Sequence, residues 1–154
     1  MNTININKFL IIGIQVRTTN EHNQSATDIP ALWQNFLDNN IIDQIPDKTD
    51  SSIYCIYTDY EKDHTKPYTT ILGCKVNSLN NIPSNMIGIT IEEDSYTKYI
   101  AKGNLAEGIV YDEWLKIWGD NLPRAFTTDF EIYGEKANNR ADAEVEILIS
   151  LNNI

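Results

Sequence analysis

The sequence predicts an α+β protein: tandem strand–helix–strand–strand modules, with antiparallel sheets and two main helices. Three observations carry this expectation. The same element order can be read twice along the 154 residues. Each reading contains one amphipathic helix rich in aromatic residues. The last quarter of the chain, FTTDFEIYGEKANNRADAEVEILISL, alternates with period two on either side of a polar loop, as two paired strands do.

In order, residues 8–17 (KFLIIGIQVR) read as a strand dominated by Ile and Val. A polar loop leads to a helix over 28–40, with Asp28 as N-cap and Pro30 in the first turn. Ile29, Leu32, Trp33, Phe36 and Leu37 recur at helical spacing and form its apolar stripe. The runs SSIYCIYTDY and YTTILGCKV flank the polar EKDHTKP and read as a hairpin. A linker of Asn, Ser and Pro at about 78–86 separates module one, about 1–77, from module two, about 87–154. MIGITI is then a short strand or extended entry, and DSYTKYIAKG a Tyr-rich strand. The second helix carries Val110, Trp114, Ile117 and Trp118 on one stripe, LPRAF stops it, and two strands finish the chain. Trp33 and Tyr57 in the first module thus answer to Trp114 and Tyr133 in the second, as expected of a duplication.

Parity gives the terminal hairpin two faces. If Phe130, Ile132, Val145, Ile147 and Ile149 pack under the helices, then Glu131, Tyr133 and Glu146 share the opposite face. That face is either solvated or the wall of a ligand site, and the pattern alone leaves both open.

Composition narrows the function classes. A formal charge of −10 without any basic run argues against nucleic acid, because phosphate binding needs clustered Lys and Arg. The two cysteines, Cys55 and Cys74, sit in apolar strand runs and read as buried reduced thiols, which fits the cytoplasm. The N-terminus lacks the features of a signal peptide, and no apolar run reaches the roughly 20 residues of a membrane span. His22 and His64 lie in polar loops without metal-ligand spacing and read as surface histidines. Neither a phosphate-binding Gly-rich loop nor a GxSxG elbow is present. No metal and no cofactor is expected.

The runs SYTKYIAKG, EWLKIWGDNLP, DFEIYGEK and AEVEILISL together resemble the gyrase-inhibitor-like (GyrI-like) effector-binding domain. That domain forms the C-terminal part of AraC-type and MerR-type multidrug-responsive regulators, and it also occurs alone. The resemblance covers nearly the whole chain, best from residue 94 onward. It implies a single effector-binding domain over 1–154, with the two modules related by a pseudo-twofold. It also implies a pocket between them for lipophilic, cationic or aromatic compounds, with an acidic residue pairing the ligand charge. By motif position Glu131 fits that role first and Glu146 second. The family's Tyr and Pro after Glu146 are replaced here by Leu148 and Ser150, so an aromatic wall on that side is not expected to carry over.

Two carboxylates taken out of water raise each other's pKa, and a cationic ligand relieves that strain. Tyr133 by parity, Tyr57 by duplication and Trp114 at the pocket edge would add cation–π attraction of about 0.5–2 kcal/mol each. Because the chain starts directly on its first strand, the expectation is a stand-alone sensor that sequesters a compound or presents it to a transcription regulator. Two alternatives stand beside it. One is a hydrolase of strained cyclopropane compounds, with a pocket Glu as general base; the other is a protein-interaction module such as a gyrase inhibitor, acting through its negative charge.

Overall fold

The Ile- and Val-rich run of the first module forms a long strand, and every later extended run pairs directly or indirectly onto it. A computed structural model describes residues 2–152. Its strands are β1 (Ile4–Ile6), β2 (Phe9–Thr18), β3 (Ile53–Thr58), β4 (Tyr68–Val76), β5 (Ile87–Ile91), β6 (Asp94–Gly103), β7 (Thr128–Tyr133) and β8 (Ala143–Ser150). Helix α1 (Ser25–Asp38) and the short α2 (Ile41–Gln44) lie between β2 and β3, and α3 (Ile109–Gly119) lies between β6 and β7. All eight strands join one antiparallel sheet in the order β1-β6-β8-β7-β3-β4-β2-β5. The α+β class and the doubled strand–helix–strand–strand order are therefore present as read from the sequence.

The two halves meet at the β3–β7 pair, where Cys55 stands opposite Glu131. Superimposing IYCIY of β3 on DFEIY of β7 places Cys55 on Glu131 and Tyr57 on Tyr133, so the pseudo-twofold passes through this pair. The leading strand of each half crosses over. β1 precedes β2 in the chain yet pairs with β6, and β5 precedes β6 yet pairs with β2.

Both faces of the sheet are apolar. On one, α1 covers Ile12, Ile14, Cys55, Leu72 and Cys74 through Leu32 and Phe36, while Trp114 and Ile117 of α3 cover Ile147 and Ile149. The other face closes on itself around Phe9, Tyr54, Ile71, Tyr96, Phe130 and Leu148. The ring centroids of Phe9 in β2 and Phe130 in β7 are 5.4 Å apart although two strands lie between theirs. In a flat sheet those strands would be about 14 Å apart, so the sheet is strongly curled. Part of the bend falls at Gly13 opposite Gly73, where a Cβ on Gly13 would meet the backbone carbonyl of Leu72.

Three expectations are corrected. Helix α1 begins at Ser25, so Asp28 is inside it and Pro30 is beyond the first turn; Gln24 holds the cap position, and its side chain donates to Asp28 instead of capping a backbone amide. Leu37 is 55 % exposed: it sits about 100° around the helix from the buried Phe36 and leaves the stripe. Most consequential is the hairpin. The β7–β8 register pairs Glu131 with Ile147 and Ile132 with Glu146, so the two glutamates lie on opposite faces. Parity within each strand was legible, but the phase between strands is set by register. With both faces apolar, the residue pattern does not specify that register.

Candidate functional site

The helix-bearing face of the central strands supplies the floor of the site. β7 places Asp129, Glu131 and Tyr133 on that face at period two, and β3 brings Tyr57 and Cys55 beside them. Helices α1 and α3 flank this floor without covering all of it. A cavity of about 520 Å³ remains between them, walled by Ile29 and Trp33 from α1 and by Val110, Trp114 and Trp118 from α3. Its lining is mainly aromatic and aliphatic, with Glu131 and Arg124 as its charged groups.

Glu131 is 2 % exposed and forms no ion pair with a basic side chain among the described residues. Three neutral donors converge on its carboxylate. Tyr133 donates from its hydroxyl to Oε1 at 2.7 Å, and Tyr57 to Oε2 at 2.8 Å. Trp114 donates its Nε1–H to Oε2 at 2.7 Å. Burial pushes the carboxyl above the ordinary range, while these hydrogen bonds to the charged form pull it back. The same burial, with Glu131 adjacent, holds the Tyr57 and Tyr133 phenols and the Cys55 thiol well above their usual pKa. The three therefore stay neutral donors at neutral pH.

The aromatic packing is crossed between the halves. Trp33 of α1 packs edge-on against Tyr133 of β7 at 4.9 Å, and Trp114 of α3 packs edge-on against Tyr57 of β3 at 5.5 Å. Each helix thereby locks the tyrosine of the other half, and the two tyrosines hold one carboxylate.

A second polar cluster borders the first. Asp129 is fully buried and accepts from Arg124 Nη2 at 2.8 Å, from the Tyr60 hydroxyl at 2.6 Å and from the Ser150 amide at 2.8 Å. With the Ser150 hydroxyl at 3.2 Å as a fourth donor, one cationic and three neutral contacts make this a satisfied structural pair. Arg124 lies over the Phe126 ring at 4.3 Å and also lines the cavity.

Of the residues singled out in the sequence, Glu131, Tyr133, Tyr57 and Trp114 come together at this cavity. Glu146 does not: it sits on the opposite face, half-exposed, in an ion pair with Lys98 at 3.3 Å. His64 also departs from the surface reading, because its ring stacks on Trp118 at 5.5 Å and lines the cavity. Arg124, Asp129, Tyr60 and Tyr68 belong to the site or its border without being singled out by the residue pattern. Asp129 shares the parity of Glu131, so the same period-two alternation places it on this face. Arg124 lies in the irregular segment between α3 and β7, where no periodicity marks its direction. Among the described residues no cluster of His, Cys, Asp and Glu is arranged to hold a metal ion, and no helix is long and apolar enough to cross a membrane.

The duplicated curled sheet with a helix-flanked cavity is the gyrase-inhibitor-like effector-binding fold that the sequence resembles. The structure of SAV2435 bound to tetraphenylphosphonium matches with a TM-score of 0.81 over 99% of this chain and 93% of that one; at 14% identity this likeness concerns the fold alone. The chain itself belongs to the Cass2 family of integron-associated effector-binding proteins, whose profile it matches over residues 4–151. An integron cassette protein of Vibrio cholerae, VCH_CASS2, is 31% identical over 98% of this chain and 95% of its own, with a TM-score of 0.77. YobU of Bacillus subtilis (strain 168), a candidate transcriptional regulator protein, is 27% identical over 143 residues, which span 90% of this chain and 89% of YobU.

Proposed function

We propose that the protein is a small-molecule sensor whose cavity takes a lipophilic cationic or aromatic compound, with Glu131 pairing the positive charge. The observation that carries this reading is the carboxylate itself. It is buried at the floor of an aromatic cavity, held by three neutral donors, and has no cation of its own among the described residues. An unpaired buried carboxylate is costly, and a ligand cation entering the cavity offsets that cost. Tyr57, Tyr133 and Trp114 fix its position and offer π faces nearby. Membership of an effector-binding family supports the reading, as does the shared fold of SAV2435, whose structure holds a lipophilic phosphonium cation. The likeness to YobU suggests the output: the loaded protein acts on transcription through a regulator, or withholds the compound from one.

The test uses the protein's own fluorescence, since Trp33, Trp114 and Trp118 all line the cavity. Titration with tetraphenylphosphonium should quench it to saturation. Glu131→Gln keeps the shape and removes the charge, and should weaken binding by about tenfold or more. Equal affinity in the two proteins would remove the charge-pairing role.

A further inference from the structure

The part of the cavity lined by Arg124, Trp118 and His64 has a different chemistry. The Arg124 side chain is only 6% exposed, and its Nη2 is used by Asp129. Its Nε and Nη1 are buried and have no hydrogen-bond partner among the described residues. The indole Nε1 of Trp118 and the Nδ1 of His64 are buried and unpartnered in the same way. These three side chains come from the β3–β4 loop, from α3 and from the segment before β7, yet all line the one cavity. His64 stacks on Trp118, and Arg124 lies 5.9 Å from the ring of Trp114. Trp114 is the same residue that donates to Glu131, so the two polar ends of the cavity share one wall.

Buried donors are nearly always satisfied in folded proteins, and several left open on one wall point to an acceptor that arrives from outside. Arg124 and Trp118 provide donors only, and a guanidinium edge suits an oxygen with two lone pairs. We infer that the Arg124–Trp118–His64 end of the cavity is an acceptor subsite for a carboxylate, or a comparably polar oxygen, on the same ligand whose cationic or aromatic part lies at Glu131. The preferred ligand is then a zwitterionic aromatic amphiphile and not a plain lipophilic cation. The inference rests on the cavity being the effector site proposed above, and it adds what a second pole of the ligand must carry. His64 suits this position: burial and the neighbouring Arg124 keep its pKa below the usual value, so it adds no second positive charge.

A matched dye pair separates the two claims. Tetramethylrhodamine and its methyl ester share one cationic xanthene body and differ only in the free carboxylate. Fluorescence anisotropy titrations should show the acid binding the wild-type protein at least about tenfold tighter than the ester, the discrimination of one charge-assisted hydrogen bond. Trp118→Phe removes one donor and keeps the ring, while Arg124→Lys keeps a cation for Asp129 and removes the guanidinium edge. Near-UV circular dichroism checks that both remain folded. In each, the acid-to-ester ratio should fall towards one. If both dyes bind the wild-type protein equally, or the ratio survives in both variants, ordered solvent satisfies these donors and the acceptor subsite is wrong while the cation site stands. If neither dye binds, the effector site itself is misplaced and this inference falls with it.

Discussion

Glu131 faces Cys55 across the pseudo-twofold, and that asymmetry has a reason. Directly opposed residues on antiparallel strands lie about 5 Å apart, so a glutamate at both symmetric positions would set two buried carboxylates against each other. A neutral thiol at position 55 permits one charge at the axis, and the two tyrosines and Trp114 serve it from both halves. The raised pKa of Glu131 has a definite sign in stability. The folded state holds the proton at a pH where the unfolded chain has released it. This contribution is complete below the unfolded value of about 4.5 and is lost as pH rises through the raised folded value. Glu131→Gln has no such loss. Its melting temperature relative to wild type should therefore climb as pH is raised from about 4 to about 8, as followed by thermal melts. A difference that shrinks over that range would mean that the hydrogen bonds outweigh burial. The same residue shows what was legible at this scale. Parity put Glu131 and Tyr133 on one face of the strand but left that face open between solvent and ligand, and it was the family resemblance that singled out Glu131 by its motif position. Arg124 and His64 sit in irregular segments, where no periodicity indicates which way a side chain points.

At the scale of elements, helices and strands were recognisable because each has its own period, and the aromatic helix stripes marked the walls of the cavity. What the pattern did not convey was how neighbouring strands are phased. In β7 and β8 apolar residues occupy both faces, so Phe130 and Ile147 read as companions although they lie on opposite sides of the sheet. The pairing of Gly13 with Gly73 depends on the same kind of long-range fact. These glycines let β2 and β4 approach where the sheet bends, and a side chain on Gly13 collides with backbone that cannot rotate away. Gly13→Ala should lower stability by about 3 kcal/mol or more in urea unfolding, at the upper end of overpacking effects. Gly119, at the end of α3, has open space around its Cβ direction, and Gly119→Ala should be neutral or stabilising by up to about 1 kcal/mol. Similar losses at the two sites would show that the bend is not set by close backbone approach.

For the molecule as a whole, the exchange of leading strands decides how the two halves fold. A half cut at the linker keeps its helix and three central strands. It loses the edge strand that the other half contributes: β5 leaves β2 unpaired on one side, or β1 leaves β6 unpaired. The curled face is also shared, since Phe9 and Ile11 of the first half pack with Tyr96, Phe130 and Leu148 of the second in one cluster. On the opposite face, Trp33 and Trp114 each grip a tyrosine of the other half. With a common core, exchanged edges and crossed aromatic locks, neither half buries its apolar surface alone, so unfolding should be a single cooperative event. Single-tryptophan variants report the halves separately, with Trp33 for the first and Trp114 for the second. Their urea transitions should coincide with each other and with the loss of far-UV circular dichroism. A protein that unfolded in two steps would leave Trp33 and Tyr133 free to part before the sheet melted, and Glu131 would then be held by module two alone.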